Sequence, residues 1–154
     1  MPKIEVKAKY TAEVIDFDFK REELVIETGG FDDISYYGKL ATVADVYRLQ
    51  INGGVNSNGI VIPSRNPLPN VVKYARSQSS LYGKIYGATK DLMTAGLTIG
   101  LDINSRHRLF IESFSRPRNA PTTIKKKGFD NPLIHTEKLV NSIFFSINGE
   151  GRYS

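Results

Sequence analysis

Histidine, carboxylate and hydroxyl side chains lie close together in the segment KGFDNPLIHTEKLVNSI, residues 127–143. His135, Glu137 and Asp130 are residue types that bind a metal ion, but His135 and Glu137 are only two positions apart. Two ligands on one helix face need a spacing of four, and the sequence has one other histidine, His107. The spacing therefore indicates a solvated turn, and we expect no bound metal.

Other patterns that carry catalysis or cofactor binding are weak or absent. The stretch GGVNSNG, residues 53–59, lacks the Gly-Lys-Ser/Thr ending of a phosphate-binding P-loop. No G-x-S-x-G nucleophile motif occurs. Thr122 and Thr123 lie beside lysines that could activate a hydroxyl, but turn and cap roles are commoner for threonine. We therefore expect no catalytic residues and no cofactor.

Composition bounds the class of protein. The 154 residues include 40% hydrophobic and 24% charged side chains, which are ordinary values for a globular protein. A chain of this length can bury about 70% of its unfolded surface, so we expect a single domain over residues 1–154. The absence of cysteine excludes disulfides and thiolate sites and fits folding in a reducing cytoplasm. No apolar run approaches the ~20 residues of a membrane helix.

The formal net charge of +5 allows contact with nucleic acid or acidic protein surfaces. The 21 basic residues are widely spread and are balanced by 16 acidic ones, so the signal is diffuse. One dense basic group lies in a segment that we expect to be a surface loop: Arg116, Arg118, Lys125, Lys126 and Lys127. A nucleic-acid binder would concentrate its charge further and add exposed aromatic residues.

The N-terminal portion, residues 1–42, has the pattern of β-structure. Alternation with period two predicts strands over residues 4–10 and 15–19. A short apolar strand over residues 24–26 is expected to end in a Gly29-Gly30 turn, and residues 36–41 are expected to form another strand.

Helical patterns follow in the rest of the chain. Thr42 is expected to cap a short helix, and residues 51–70 form a long loop rich in Gly and Pro. Helices are expected over residues 70–79 and about 88–114, with His107 in the apolar stripe of the second. Thr136 is expected to cap a single helical turn before a closing strand at Ile143, Phe145 and Ile147. The fold class is therefore α+β, with a mainly antiparallel sheet packed against two substantial helices.

Two stretches carry a resemblance to a known family. In the first, VADVYRLQINGG, residues 43–54, is followed by VIPSRNPLP, residues 61–69. This is similar to a short helix ending in a Glu-Phe-Gly-like turn and then an Ile-Pro-x-Arg-Pro-Phe-Leu run. The family comprises head-tail connector, neck and tail-completion proteins of long-tailed bacteriophages. The matching positions are Gly53, Ile62, Pro63, Arg65 and Leu68.

The second stretch, residues 119–143, resembles that family's Asn-Ala-Pro-x-Thr-Ile…Lys-Gly…Pro-Leu-Ile-Asp-Thr-Gly-x-Leu…Ser-Ile run. The matching residues, in order, are Asn119, Ala120, Pro121, Thr123, Ile124, Lys127, Gly128, Pro132, Leu133, Ile134, Thr136, Leu139, Ser142 and Ile143. The resemblance covers about residues 43–145 and leaves the N-terminal β portion outside it.

The sequence departs from the family pattern at three places. His135-Thr136-Glu137 replaces Asp-Thr-Gly, so Thr136 is expected to provide the helix cap. Asn66-Pro67 follows Arg65 where the family has Pro-Phe. Gln50, Ile51 and Asn52 precede Gly53, so the acidic residue of the Glu-Phe-Gly turn is lost.

The resemblance implies a non-catalytic virion protein that forms a ring, hexameric or dodecameric, at the head-tail junction after assembly in the host cytoplasm. Its partners would be further copies of the chain and neighbouring connector, portal-side and tail-tube proteins, with genomic DNA passing through the lumen without sequence-specific binding. A closed ring needs two different complementary patches on each subunit. The candidate interface residues are Ile62, Pro63, Arg65, Leu68, Arg116, Arg118, Lys125, Lys126 and Lys127. The motif positions expected to be structural are Gly53, Gly128, Pro132, Leu133, Thr136, Leu139, Ser142 and Ile143.

Two other functions stay open at this stage. A basic nucleic-acid-binding module would show salt-dependent affinity for DNA, because phosphate contacts release counterions. A small hydrolase is supported only by scattered His, Asp and Thr residues.

Overall fold

The computed structural model describes residues 3–8, 14–18, 23–31, 42–55, 58–89, 91–128, 130 and 138–154. In chain order, the described elements are β1 Lys3–Ala8, β2 Val14–Asp18, β3 Leu24–Phe31, α1 Val43–Asn52, β4 Gly54–Val55, β5 Val61–Ile62, α2 Leu68–Ser77, α3 Ser79–Ala88, α4 Leu92–Glu112, α5 Pro121–Lys127, α6 Lys138–Ser142, β6 Ile143–Ile147 and β7 Glu150–Tyr153. This is the α+β fold that the sequence predicts, with more helices than the two expected.

The chain divides into two compact units. Unit 1 comprises residues 1–30, 68–107 and 143–154, and unit 2 comprises residues 31–67 and 108–142. The prediction of a single domain over the whole chain stays a prediction, and the two units are described separately below.

Unit 1 contains a five-stranded sheet in the order β2-β1-β3-β6-β7. The β1–β2 and β6–β7 pairs are antiparallel, whereas β1 and β3 are parallel. Leu24, Ile26 and Thr28 alternate toward the core and are fully buried, as the period of two requires. The predicted turn at Gly29-Gly30 is wrong, because β3 continues through both glycines to Phe31.

The turn between β6 and β7 is bonded to the start of β3. The backbone N–H of Asn148 donates to the carbonyl of Val25 at 2.7 Å. The side-chain oxygen of Asn148 accepts from the N–H of Val25, also at 2.7 Å. Asn148 has a positive φ of 51°, a conformation that Asn tolerates better than most residues. One turn residue thus satisfies both backbone groups of a residue in the central strand.

Helix α4 approaches the sheet closely through two glycines. A methyl group at Gly96 would lie 3.0 Å from Ile147, and one at Gly100 would lie 2.1 Å from the ring of Phe145. Phe145 is fully buried, as are Ile99 and Ile103 on the same helix. The glycines therefore allow the helix backbone to lie directly on the side chains of β6.

A polar network in unit 1 joins α2, α3 and α4. The carboxylate of Asp102 accepts from the hydroxyl of Tyr82 at 2.6 Å and from that of Tyr74 at 2.9 Å. The guanidinium carbon of Arg106 lies 4.3 Å from the centre of the Tyr74 ring. Burial, followed by the hydrogen bond to Asp102, raises the pKa of Tyr82 well above its usual value, so its hydroxyl stays a donor over the whole accessible pH range.

We expect Tyr82→Phe to lower the free energy of unfolding by about 2 kcal/mol, because hydrogen bonds to charged groups contribute roughly 1.5–3 kcal/mol. The Tyr82 side chain is fully buried, so water cannot replace the lost donor. Tyr74→Phe is the matched control and should cost less, because Tyr74 is only half-buried. Urea denaturation of both variants checks this order, and an equal or larger loss for Tyr74→Phe would contradict it.

His107 is buried in the core of unit 1, as its place in the apolar stripe predicts. Its side chain is fully buried, and its Nδ1 lies 3.4 Å from the Thr28 hydroxyl oxygen. Burial lowers the pKa of His107 from 6.5 to about 3, because the charged imidazolium cannot be solvated there. The imidazole is therefore neutral at physiological pH.

This burial makes stability depend on pH. Below about pH 6.5 the unfolded chain binds a proton at His107 that the folded chain does not bind until about pH 3. The stabilisation is thus complete above the unfolded pKa and is lost as pH falls toward the folded pKa, by about 1.4 kcal/mol per pH unit. We expect the free energy of unfolding to fall by about 2 kcal/mol more between pH 7 and 5 in the wild type than in His107→Gln. Equal pH dependence of the two proteins would contradict this explanation.

Unit 2 begins, within the described residues, with a capped helix. The Thr42 hydroxyl accepts from the Asp45 N–H at 3.2 Å, and the Asp45 carboxylate accepts from the Thr42 N–H at 3.0 Å. The bond from the Thr42 backbone N–H, followed by one that the Thr42 hydroxyl donates to the same carboxylate at 3.0 Å, lowers the pKa of Asp45. The predicted Thr42 cap is confirmed, and α1 continues to Asn52, beyond the residues expected for it. Helix α1 packs against α6.

The predicted loop over residues 51–70 is wrong in its extent. Its first residues complete α1, β4 and β5 form an antiparallel two-stranded sheet, and α2 begins at Leu68. Gly53 ends α1 with a φ of 68°, and a methyl group there would lie 2.8 Å from the Ile62 carbonyl oxygen. A glycine is therefore required where the helix turns into the hairpin.

Three further differences from the sequence predictions concern helix and strand content. Helix α3 and strand β7 were not predicted, and the expected basic surface loop folds as α5 over Lys125–Lys127. Some predictions lie outside the described residues. They are the strand over residues 36–41, the last residues of the first two predicted strands, Tyr10 and Phe19, and the cap at Thr136. Among the described helices, none has the length and apolar character needed to cross a bilayer.

Candidate interaction surface

A buried arginine organises the middle of unit 2. Arg65 is 6% exposed. Its Nε–H donates to the Pro117 carbonyl at 3.0 Å, and its two terminal nitrogens donate to the Arg118 carbonyl at 3.0 Å and the Gln50 side-chain oxygen at 2.8 Å. The backbone N–H of Arg65 also donates to the Gln50 carbonyl at 2.6 Å. The planar guanidinium thus ties the end of α1 to the segment before α5.

Asp130 holds the same segment from another direction. Its carboxylate accepts from the Arg118 Nε–H at 2.5 Å and from the Asn119 backbone N–H at 3.1 Å. These two hydrogen bonds, that of Arg118 first, lower the pKa of Asp130 below its usual range. Asp130 therefore serves as a structural acceptor.

Helix α5 carries lysines on the surface of unit 2. Pro121 occupies its first turn, where a missing N–H costs nothing. Gly128 ends the helix in the left-handed conformation with a φ of 80°, which favours glycine. Lys125 and Lys126 are exposed. A cleft of about 550 Å³, called the basic cleft below, is lined by Arg118, Asn119, Pro121, Ile124 and Lys125.

The structure separates the candidate interface residues into three groups. Arg65 and Leu68 are buried, and Arg65 is fully engaged inside unit 2, so neither side chain is available to a partner in this conformation. Their assignment to a subunit interface stays a prediction. Ile62 and Pro63 are half-buried. The exposed members are Arg116, Arg118, Lys125 and Lys126, while Lys127 lies in the last turn of α5.

The motif positions expected to be structural lie where the backbone or the core needs them, as far as they are described. Gly53 and Gly128 end helices, Leu139 and Ile143 are buried, and the buried Ser142 hydroxyl donates to the Leu139 carbonyl at 3.2 Å. Pro132, Leu133 and Thr136 lie outside the described residues.

Sequence analysis did not identify an exposed apolar ribbon in unit 2. Val55 and Val61 face each other across β4–β5 and are 65% and 72% exposed, and Ile60 beside them is also exposed. The available signal was the Asn58-Gly59 pair between β-branched residues, which is typical of a hairpin. Sequence analysis also did not identify the acidic outer face at the start of β3, formed by Glu27 in the strand and Glu23 just before it.

Within the described residues, no group of three His, Cys, Asp or Glu side chains is arranged to hold a metal ion. The side chains of Arg65 and Asp130 in unit 2 are engaged in bonds that shape the backbone, and the described surface offers charge and apolar area for binding. In comparisons with known proteins, no protein-family model, curated protein or solved structure matches the chain.

Proposed function

We propose that this chain is a non-catalytic structural protein of a phage virion, one subunit of a ring at the head-tail junction in a neck, connector or tail-completion position. The observation that carries the proposal is the run of matching residues over positions 119–143. Among the described matching residues, Pro121 and Gly128 bound α5, and Leu139, Ser142 and Ile143 are buried. A motif of this kind is expected of a protein whose task is to maintain a shape.

The surface of unit 2 supports an assembly role. Arg116, Arg118, Lys125 and Lys126 are exposed within a segment that Arg65 and Asp130 hold in place. A preorganised surface loses little conformational entropy on binding. The basic residues would contact acidic surfaces of neighbouring subunits, or of connector, portal-side and tail-tube proteins.

Gold labelling of a tagged copy tests this proposal. The tag follows Ser154, which is exposed, and purified particles are viewed by negative-stain electron microscopy. Label confined to the head-tail junction is the expected result. Intact particles that contain no label, although every copy of the protein carries the tag, would contradict a virion role.

The alternative is a basic nucleic-acid-binding module, favoured by the same four exposed cations. Its test is the affinity for a DNA duplex at several salt concentrations. The logarithm of the association constant is plotted against the logarithm of the salt concentration. A steep fall, with a slope near −0.9 per phosphate neutralised, would support DNA binding. Affinity that is weak at low salt would leave the assembly role as the better explanation.

A further inference from the structure

The central strand of the sheet in unit 1 presents carboxylates on its outward face. Because Leu24 and Ile26 are buried, the alternate positions of the strand face away from the core. Glu23 and Glu27 are separated by four residues, roughly 13 Å along a strand. A shallow depression of about 420 Å³, called the acidic strand face below, is lined by Glu23, Val25, Glu27, Asn148 and Gly149.

The acidic strand face is held rigidly. Both backbone groups of Val25 are bonded to Asn148 at 2.7 Å, which fixes the turn against the strand. Glu23 is exposed, and Glu27 and Val25 are half-buried. The face thus combines two carboxylates with a central apolar side chain.

The basic cleft of unit 2 has the opposite charge and a similar construction. Arg118 and Lys125 supply two cations, and Pro121 and Ile124 supply apolar surface. The Arg118 side chain is 68% exposed even though its Nε–H is bonded to Asp130. Lys125 is exposed on α5.

We propose that the basic cleft of one copy of this chain binds the acidic strand face of the next copy. The two surfaces carry charges of opposite sign, each with apolar residues beside them, and opposite charges specify partner and orientation. Because the surfaces differ, a copy bound through its cleft still offers its acidic strand face to another copy. Such a heterologous contact repeats into a ring when the rotation closes.

The inference rests on the proposed function for its expectation of a ring, but the contact between copies is tested separately. Equal amounts of unlabelled and ¹⁵N-labelled chain are mixed at low salt and treated with a zero-length carbodiimide that joins amines to carboxylates. We expect peptides of mixed isotope content that join Lys125 to Glu23 or Glu27. Cross-links between copies that exclude this pair, or no cross-linked multimers, would overturn the inference.

Charge reversal gives a second test. Lys125→Glu alone, or Glu23→Lys and Glu27→Lys each alone, should lower self-association by about five- to tenfold at low salt, because like charges then meet. In an equimolar mixture of Lys125→Glu with Glu23→Lys or Glu27→Lys (the lysine variants), copies of the two kinds can alternate. Every cleft then faces a strand face with a charge of opposite sign at the altered positions. We expect sedimentation velocity to show association recovered in the mixture with at least one lysine variant. No recovery with either would overturn the inference.

Lys126→Glu is the matched control, because Lys126 is the next residue of α5, is also exposed and does not line the basic cleft. Its effect should be small, and a loss equal to that of Lys125→Glu would overturn the assignment of the contact to the cleft. If the cross-linking and charge-reversal tests fail but gold label lies at the head-tail junction, this interface is rejected and the proposed function is kept. Recovered self-association in the charge-reversed mixture, together with particles that carry no gold label, would keep this interface and reject the proposed function.

Discussion

Gly100→Ala is expected to lower the free energy of unfolding by about 3 kcal/mol, near the upper end of the usual cost of overpacking a core. The added methyl group would lie 2.1 Å from the Phe145 ring. That ring is fully buried, and its centre lies 5.5 Å from that of Tyr153, so it has little room to move. The loss corresponds to a fall of roughly 6–12 °C in the melting temperature, measurable by circular dichroism.

Gly87→Ala is the control for this prediction. Gly87 lies in α3, is exposed, and has no atom within 4 Å of the position of an added methyl group. Alanine is a better helix former than glycine, so we expect a gain of about 0.5 kcal/mol. The same change of residue should thus have opposite effects in the two helices. A neutral or stabilising Gly100→Ala would contradict the close packing of α4 on β6.

Arg65→Ala is expected to lower the free energy of unfolding by about 3–4 kcal/mol. It removes three hydrogen bonds that a buried, charged side chain donates to Pro117, Arg118 and Gln50, and hydrogen bonds to charged groups contribute more than neutral ones. Arg65→Lys should recover only a minor part, because an ammonium cannot reproduce the planar geometry of three diverging bonds. Urea denaturation and hydrogen exchange of the Arg65 backbone amide would measure the effect.

Arg116→Ala is the matched control, because Arg116 is exposed and surface substitutions usually change stability by less than about 0.5 kcal/mol. The alternative outcome for Arg65 is informative. If Arg65→Ala kept its stability and lost only the ability to assemble, Arg65 would be a contact residue, as the sequence suggested. The structure predicts loss of stability, with any loss of assembly following from it.

The sequence predicted the elements whose signal is local. Period-two alternation located β1 and β2, and the side chain of Thr42 marked the start of α1. The Gly29-Gly30 turn was wrong because glycine permits a turn without requiring one, and β3 continues through both residues although Gly29 has a positive φ of 92°. Helix α5 was missed because a run of three lysines has no apolar periodicity, although Pro121 and Gly128 bound it in the expected way.

The candidate site was less predictable because it depends on contacts between distant residues. Whether Arg65 is buried is decided by Pro117 and Arg118, which are 52 and 53 positions away. No local pattern distinguishes such an arginine from an exposed one. The acidic strand face likewise depends on which strand becomes central in the sheet, a property of topology. The basic residues of α5 were identified from charge density alone, because exposed charge needs no tertiary context.

The bond between Val25 and Asn148 has a consequence for folding during synthesis. Val25 lies in the central strand, and the residue that completes its hydrogen bonding is 123 positions later in the chain. The ribosome adds roughly 5–20 residues per second. Strand β3 is therefore synthesised several seconds before its neighbour β6. During that interval the edge of β3 is open to pairing with other nascent chains. We therefore expect a protein of this topology to depend on chaperones until translation has passed residue 148.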